Sequence, residues 1–350
     1  MKGSSTSLLV LQAVFMLLIA FEAMAGQENS PRGSFEQAIA AFRSGHYSAA
    51  VSLFERVEAQ SPGATEALLY EAKALIHLQN FARAAEVLRS YIEAHRDSSD
   101  ALYLLGFVLH RQNRPAESLE VYTRAAAIAP PTGDDLKVVG LNYVLLDDYN
   151  DAIRWLERAV QFDPKNRDAW YYLGRAYYTK AQLVEARKAF LAVLDLDPQD
   201  AKAENNLGLI FETSGQPSAA IEAYRKAIAW QEKRPNPSEQ PYVNLGNLLL
   251  EQGQGKEAVV LLEKAIQLAP DNAFCRMKLG VAYRQVGRLE DSRRQLEKAT
   301  QLEPDNPATH YQLGRLYKQM HTLDRAQAEF DRTAELQSRA ARPKTSSADH

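Results

Sequence analysis

The side chains most often used in catalysis and metal binding are few and scattered in this sequence. No His-Glu-x-x-His motif places two imidazoles on one helix face, as a zinc hydrolase would require. We therefore expect each histidine to occupy an ordinary surface or turn position: His46, His77, His95, His110, His310, His321 and His350. The single cysteine, Cys275, cannot form an intrachain disulfide and is expected to fill apolar space.

Other patterns that indicate catalysis are also missing from the sequence. The Gly-Gln-Gly run at 253–255 lies between two helical patterns, whereas a phosphate loop follows a strand. Aspartates beside prolines belong to turns: Asp163, Asp197, Asp271 and Asp305. Nothing resembles a nucleophile elbow, and no segment outside a repeated pattern is long enough for a catalytic domain. We predict a non-enzymatic protein with no catalytic residues, no metal and no cofactor.

Side chains suited to recognition are more prominent, above all in the stretch AWYYLGRAYY. At 3.6 residues per turn, Trp170 and Tyr177 share one helix face, which predicts that they lie in the core. Tyr171 and Tyr178 share the opposite face and are candidates for ligand contact, while Tyr172 fits either role.

This stretch belongs to a pattern that repeats every 34 residues, and nine copies fit the sequence. The copies span 31–64, 65–98, 99–132, 133–166, 167–200, 201–234, 239–272, 273–306 and 307–340, with one insertion at 235–238. Each copy predicts two helices, because turn residues recur near position 15 and Pro recurs at position 32. The position-15 residues are Gly45, Asn113, Asp147, Gly215, Gly253 and Gly287. Residues 26–30 are expected to be a short linker and 341–350 a disordered tail.

The repeats also alternate small and large residues at fixed positions. Position 8 is always Ala or Gly and position 20 is always Ala or Ser, whereas positions 11 and 24 carry larger apolar groups. Small residues allow two helix axes to approach closely. We expect the larger residues to fill the space that the small ones leave.

These features strongly resemble the tetratricopeptide repeat family. Copy 5 carries the family pattern as Trp170, Leu173, Gly174, Tyr177, Ala186, Phe190, Val193 and Pro198. The resemblance implies an all-α solenoid, a right-handed superhelix of antiparallel helix pairs whose first helices line a concave groove. The end copies depart from the pattern at Gln37, Glu71, Thr333 and Ser338, which we interpret as capping of terminal repeats that face water.

The same resemblance implies that positions 2, 5, 6, 9, 12 and 13 of each first helix face the groove. They carry an aromatic zone, an amide zone and a cationic zone along the chain. The candidate peptide-binding residues are Tyr103, Phe107, Tyr171, Arg175, Tyr178, Asn205, Asn206, Asn244, Asn247, Lys278, Arg284, Tyr311, Arg315 and Lys318. This order suits an extended peptide whose backbone bonds to amides and whose acidic groups meet the basic end. The alternative is that these positions are merely polar and unused.

Two ligand-binding patterns known in the family are incomplete here. No three successive copies supply the carboxylate clamp of chaperone-binding repeats. The asparagine ladder of peptide-glycosylating transferases is matched only by Asn206 and Asn244. The four inserted residues at 235–238 allow either a hinge between copies 6 and 7 or a rigid turn.

The N-terminus predicts export. Lys2 precedes an apolar run at 8–21 and the small-residue sequence Ala-Met-Ala, which together indicate a secretory signal peptide over 1–25, with an uncleaved membrane tether as the alternative. One cysteine and no acceptor for N-glycosylation suit a periplasmic or secreted bacterial protein. A net charge of −3 disfavours nucleic acid as partner.

We therefore predict an exported scaffold or adaptor that binds a protein or peptide in its groove and has no integral membrane span after signal cleavage. Two alternatives remain open at this point. One is a cell-envelope assembly or oligomerisation factor that uses its convex face or its exposed terminal helices. The other is an accessory subunit of an envelope enzyme such as a glycosyltransferase.

Overall fold

The computed structural model describes residues 31–61 and 65–341, which contain eighteen α-helices and no strand. The helices are α1 Pro31–Arg43, α2 Tyr47–Gln60, α3 Thr65–His77, α4 Phe81–Ala94, α5 Ser99–Arg111, α6 Pro115–Ala126, α7 Gly133–Leu145, α8 Tyr149–Phe162, α9 Arg167–Thr179, α10 Leu183–Leu196, α11 Ala201–Thr213, α12 Pro217–Gln231, α13 Gln240–Glu251, α14 Gly255–Leu268, α15 Ala273–Gln285, α16 Leu289–Leu302, α17 Pro307–Gln319 and α18 Leu323–Ala341. Odd-numbered helices are the first of each pair (A helices) and even-numbered ones the second (B helices). The all-α solenoid of helix pairs is confirmed.

Each pair is closed by one residue in the left-handed backbone conformation, at position 15 of every copy. Six of the nine are the residues that the sequence predicts, and the other three are Gln79, Ala181 and His321. In the first pair, Gly45 and His46 donate their backbone N–H groups to carbonyl oxygens in the last turn of α1. A positive φ reverses the chain in three residues and satisfies carbonyls that the helix leaves without a partner.

The small residues at position 8 lie directly against the large residues at position 24. A methyl group added at Gly106 or Gly208 would come within 3.0 Å of the ring of Tyr122 or Tyr224, and one added at Gly246 would meet Leu262 in the same way. The predicted exchange of small for large side chains is thus confirmed for position 24. Ser118 at position 20 adds a hydrogen bond to the carbonyl oxygen of position 8, at 2.6 Å.

Position 4 closes the junction to the preceding copy. The Trp170 indole N–H donates to the Pro164 carbonyl oxygen at 3.0 Å. Arg276 Nε makes the equivalent bond to the Pro270 carbonyl oxygen at 2.8 Å. The proline at position 32 therefore follows the last helix of one copy, and its carbonyl oxygen accepts a hydrogen bond from position 4 of the next copy. The donor at position 4 is Trp in one case and Arg in the other.

One expectation about the end copies is wrong. Gln37 is exposed, as a water-facing repeat requires, but Glu71 is only 1% exposed. Its carboxylate accepts a hydrogen bond from Arg83 at 2.8 Å, and Arg83 also bonds to Glu55. Burial, with the nearby Glu58 carboxyl, raises the pKa of Glu71 to about 8. Glu71 is thus a buried ionisable group between the first two helix pairs, and Thr333 in the last copy is buried as well.

The contacts divide the chain into two units, with the boundary between Ala176 and Tyr177 inside α9. The insertion at 235–238 lies within the second unit. The side chain of buried Gln231 makes two hydrogen bonds to the backbone of Ser238, the last inserted residue, at 2.9 and 3.0 Å. Arg234 reaches both carboxylate oxygens of Asp197 at 3.2 Å. Of these contacts, the Gln231–Ser238 bonds span the insertion and favour the rigid turn over the hinge.

The predicted signal peptide, the linker at 26–30 and all but the first residue of the predicted tail lie outside the described residues. Ala341 ends α18. The described helices follow the nine copies throughout, but the exact copy boundaries and the tail stay predictions.

Candidate functional site

The A helices of neighbouring copies contact one another within each unit. The pairs are α1 with α3, α3 with α5 and α5 with α7 in the first unit, and α11 with α13, α13 with α15 and α15 with α17 in the second. In the part of the chain that the structure describes, no corresponding pair of B helices brings its backbones this close, although side chains such as Arg225 and Glu257 meet between them. The A helices are therefore the more closely spaced layer of each stack. We call the outward side of this layer the A face.

In the first unit, two predicted aromatic residues on the A face already contact other residues of the protein. The Tyr103 hydroxyl donates to the Ala129 carbonyl oxygen at 2.7 Å. The Phe107 ring meets the Phe81 ring edge-on at 6.5 Å, and the Arg111 guanidinium lies over both rings. Both side chains are half-buried, so only part of each ring is accessible to a ligand.

The aromatic stretch of copy 5 divides between core and surface less sharply than predicted. Trp170 is half-buried rather than fully buried, with its indole N–H bonded as described above. The rings of Tyr171 and Tyr172 pack edge-on at 5.5 Å and are both half-buried, whereas Arg175 is exposed. In the second unit, the hydroxyl groups of Tyr178 and Thr213 share a hydrogen bond of 3.0 Å.

The asparagines of the second unit mostly satisfy one another or their own helices. Asn244 donates to the side-chain oxygen of buried Asn205 at 2.9 Å, which links α13 to α11. Asn206 donates to the Lys202 carbonyl oxygen at 2.7 Å. The amide zone therefore lies on the A face, but part of its donor capacity is already used within the protein.

Lys278 is a cation with local compensation. It donates to the side-chain oxygen of Asn247 and lies 5.1 Å from the centre of the Phe274 ring. Asn247 in turn donates to Glu251 at 3.0 Å. Burial lowers the pKa of Lys278, and the carboxylates of Glu251 and Glu212 act in the opposite direction. Both carboxylates thus face the same side of the unit as Lys278.

Arg284 and Arg315 form a cationic pair without such compensation. Arg284 is half-buried, and its Nε is buried with no hydrogen-bond partner among the described residues. The one side-chain hydrogen bond that it makes to another described residue is a long one of 3.5 Å to Gln312. Burial lowers the pKa of Arg284, and the nearby charge of Arg315 lowers it further. Arg315 is exposed above the ring of Tyr311, which is 45% exposed, and Lys318 is exposed on the same helix.

Four A-face residues escaped the sequence analysis: Glu212, Glu251, Phe274 and Gln312. They occupy positions 12, 13, 2 and 6, all of which belong to the set predicted to face the groove. Glu212 also accepts a hydrogen bond from the Tyr224 hydroxyl at 2.7 Å, which fixes its carboxylate. The helical spacing that selected the cations would have found these carboxylates, had acidic side chains been included.

Two histidines are not ordinary surface or turn residues, which corrects the sequence-based expectation. Half-buried His110 bonds to buried Asn142 at 2.9 Å, and burial lowers the pKa of its imidazole. His310 at position 4 contacts the Glu329 carboxylate at 2.6 Å and the Pro304 carbonyl oxygen at 2.9 Å. Both imidazoles take structural positions between helices.

Cys275 is buried, and burial raises the pKa of its thiol to about 11, as suits a residue that fills apolar space. Within residues 31–61 and 65–341, no group of three His, Cys, Asp or Glu side chains could hold a metal ion. None of the described helices is both long and apolar enough to cross a membrane.

Comparisons with known proteins agree with this geometry. Family models described as tetratricopeptide repeat match residues 41–106 and 144–207, 184–237 and 99–132. A model described as TPR repeat matches residues 246–287 and 280–320. Together these matches cover most of the helix pairs.

Two curated relatives are subunits of large complexes. The chain is 22% identical to anaphase-promoting complex subunit 3 of Schizosaccharomyces pombe, over 74% of this chain and 38% of that protein. It is 26% identical to BBSome complex member BBS4 of Bos taurus, over 64% of this chain and 44% of that protein. The chain therefore spans less than half the length of either relative.

Two solved structures share the fold. The structure of the Cut9–Hcn1 hetero-tetramer has a TM-score of 0.59 at 13% identity and covers 77% of this chain and 52% of that one. The structure of PilW, named as a type IV pilus biogenesis factor, has a TM-score of 0.52 at 22% identity and covers 61% of this chain and 95% of that one. At these identities the likeness concerns the fold alone.

Proposed function

Since the chain belongs to the tetratricopeptide repeat family, whose members serve as protein-interaction scaffolds, we propose that it is a non-enzymatic adaptor that binds an extended peptide segment of a partner on its A face. Stacked repeats present side chains at regular intervals, so that affinity can be spread over several copies. The A face is the surface on which amide, aromatic and charged side chains recur at such intervals.

The observation that carries this proposal is the Arg284–Arg315 pair. Holding a guanidinium half-buried without an anion, next to a second positive charge, costs free energy. An acidic group on the partner would offset that cost, since a carboxylate accepts two parallel hydrogen bonds from a guanidinium. The bound segment is accordingly acidic where it crosses α15 and α17, and the exposed Tyr311 ring lies beside that point.

We also propose that the protein is exported, as a periplasmic or secreted protein, because of the signal-peptide features at 1–25. The intact mass of the protein purified from its native cells is expected to match a chain that begins at Gly26. A mass that includes residues 1–25 would instead support the membrane-tethered alternative.

Site-specific photocrosslinking in native cells tests the A face directly. A photoreactive residue in place of Tyr311 is expected to give partner adducts that disappear when Arg284→Glu and Arg315→Glu are added. The control position is Val260 on B helix α14, which is 65% exposed and lies in the same unit. Adducts from Val260 but not from Tyr311 would reject the A face and favour an assembly factor that uses its outer side.

A further inference from the structure

The A face of the second unit has two ends of opposite charge. Glu212 and Glu251 lie on α11 and α13, while Arg284 and Arg315 lie on α15 and α17. Lys278 stands between them and is held by Asn247. Exposed Lys202 lies at the N-terminal end of α11, whereas Glu212 and Glu251 lie at the C-terminal ends of α11 and α13, so negative charge is concentrated at those C-terminal ends and positive charge on α15 and α17.

Neither end is neutralised by a direct ion pair. Within the described residues, no Lys or Arg side chain lies within 4.0 Å of the Glu212 or Glu251 carboxylate, and no carboxylate lies that close to Arg284 or Arg315. The other hydrogen bonds of the two glutamates come from uncharged donors, the Tyr224 hydroxyl and the Asn247 amide.

Some charged residues of the B helices do form ion pairs. Arg225 on α12 pairs with Glu257 on α14 at 2.8 Å. Arg332 on α18 pairs with Glu335 on the same helix and with Asp305 in the turn before α17, each at 2.8 Å. No such pair involves Glu212, Glu251, Arg284 or Arg315 within the described residues.

From this arrangement we infer that the segment bound by the second unit is dipolar: a basic side chain binds at Glu212 and Glu251, and an acidic group binds at Arg284 and Arg315. The inference rests on the proposed function, because it assigns polarity to the peptide that the A face binds. A segment of single charge would satisfy one end and meet repulsion at the other.

The helix positions also set the spacing of the two charges. The acidic and basic pairs are two A-helix steps apart, which is roughly 20 Å at 8–10 Å per step. An extended peptide advances about 3.3 Å per residue, so this distance corresponds to about six residues. The asparagines lie on α11 and α13, the same helices as the two glutamates, where they can contact the peptide backbone at the acidic end.

Fluorescence anisotropy with synthetic peptides and the full chain tests the spacing. The probes are ten-residue peptides of equal composition that carry one Lys and one Glu, two to eight residues apart. Each exposed charge pair contributes up to about 1 kcal/mol, equivalent to about fivefold in affinity. We expect affinity to be highest at a spacing of about six and about fivefold lower when the charges are adjacent. Affinity independent of spacing would overturn the inference.

Two variants, each with two glutamates replaced by uncharged glutamines, test whether the basic side chain of the peptide binds at Glu212 and Glu251. The E212Q/E251Q variant keeps both hydrogen-bond acceptors and is expected to bind the Lys peptide and its Lys→Gln analogue equally. The matched control, E222Q/E257Q, removes the same charge from B helices α12 and α14 and should retain the preference for Lys. Equal loss of the preference in both variants, or a preference unchanged in E212Q/E251Q, would overturn the assignment.

The acidic group has two possible sources in a peptide, a Glu or Asp side chain and the C-terminal carboxylate. Amidated peptides with an internal Glu are compared with peptides whose only carboxylate is C-terminal, and the tighter series identifies the source. If neither series binds more tightly than uncharged peptides, the dipolar inference fails. The photocrosslinks at Tyr311 would still decide the proposed function separately.

Discussion

The two units treat their partly buried charges in opposite ways. In the first unit, the Arg83 guanidinium bonds to two carboxyl groups of the protein itself, those of Glu71 and Glu55. In the second unit, Arg284 is half-buried beside another arginine and its Nε has no partner among the described residues. The first arrangement is internally balanced, whereas the second is balanced only by a group from outside. The same helix-pair architecture therefore holds one charge cluster that serves the fold and one that is available for binding.

The largest effect that we expect concerns how the stability of the first unit depends on pH. The pKa of Glu71 is raised from 4.5 to about 8. Between these two pH values, the carboxyl group is protonated in the folded protein and ionised in the unfolded chain. The stabilisation is complete below pH 4.5 and is lost as pH rises through about 8, by roughly 5 kcal/mol in total. The Glu71→Gln variant should show no such loss.

Hydrogen exchange measured by mass spectrometry separates this local effect from the rest of the chain. The protection free energy of α3 is expected to fall between pH 5 and pH 8 in the unsubstituted protein and to stay constant in Glu71→Gln. Glu86→Gln, an exposed glutamate on the neighbouring α4, is the control and should behave like the unsubstituted protein. Constant protection of α3 in all three proteins would show that Glu71 is ionised in the fold.

Glu71 also shows where sequence-based prediction reaches its limit. The 34-residue period predicts the helix pairs, the turns and the close contact between positions 8 and 24, because these depend on the residue types at each position. A glutamate at position 7 of copy 2 could face water or be buried, depending on which side chains approach it from α2 and α4. Only the structure shows that Arg83 lies within bonding distance.

A second prediction tests whether the two units share the same internal packing. Gly106→Val and Gly208→Val each force a branched side chain against a tyrosine ring, Tyr122 or Tyr224. Overpacking of this kind costs about 3 kcal/mol, and we expect similar losses in both units by denaturant unfolding. Ala40→Val, at an exposed position of α1, is the control for a valine placed in a helix without a ring packed against it. A large loss in one unit only would mean that the units also differ in packing.

The candidate site was less predictable than the packing. Helical spacing placed Arg284, Arg315 and Tyr311 on one face, and the structure brings these three together. The same spacing could not indicate that Tyr103 bonds to the backbone beyond α6, or that Asn205 is buried and bonds to Asn244. Spacing reports direction from the helix axis, whereas availability for a ligand depends on partners from other helices.

The smallest effects give the sharpest test of the contrast, because their signs are opposite. Arg83→Met removes the cation that bonds to Glu71 and should destabilise the first unit by about 2 kcal/mol, less than a fully buried pair because Arg83 is 43% exposed. Arg284→Met removes a half-buried charge that lacks an anion and keeps the length of the side chain. It should stabilise the second unit by about 1 kcal/mol while weakening peptide binding.

Both variants are measured by hydrogen exchange of the helices in their own unit, α3 and α15, with Arg294→Met as a surface control on α16. Opposite signs would show that Arg83 contributes to the fold and that Arg284 is kept at a cost to it. If Arg284→Met destabilises α15 as strongly as Arg83→Met destabilises α3, then Arg284 is a structural residue. The proposal of an acidic partner would then lose its main argument, because an arginine whose charge is already stabilised within the folded protein gains little from binding a carboxylate of a partner.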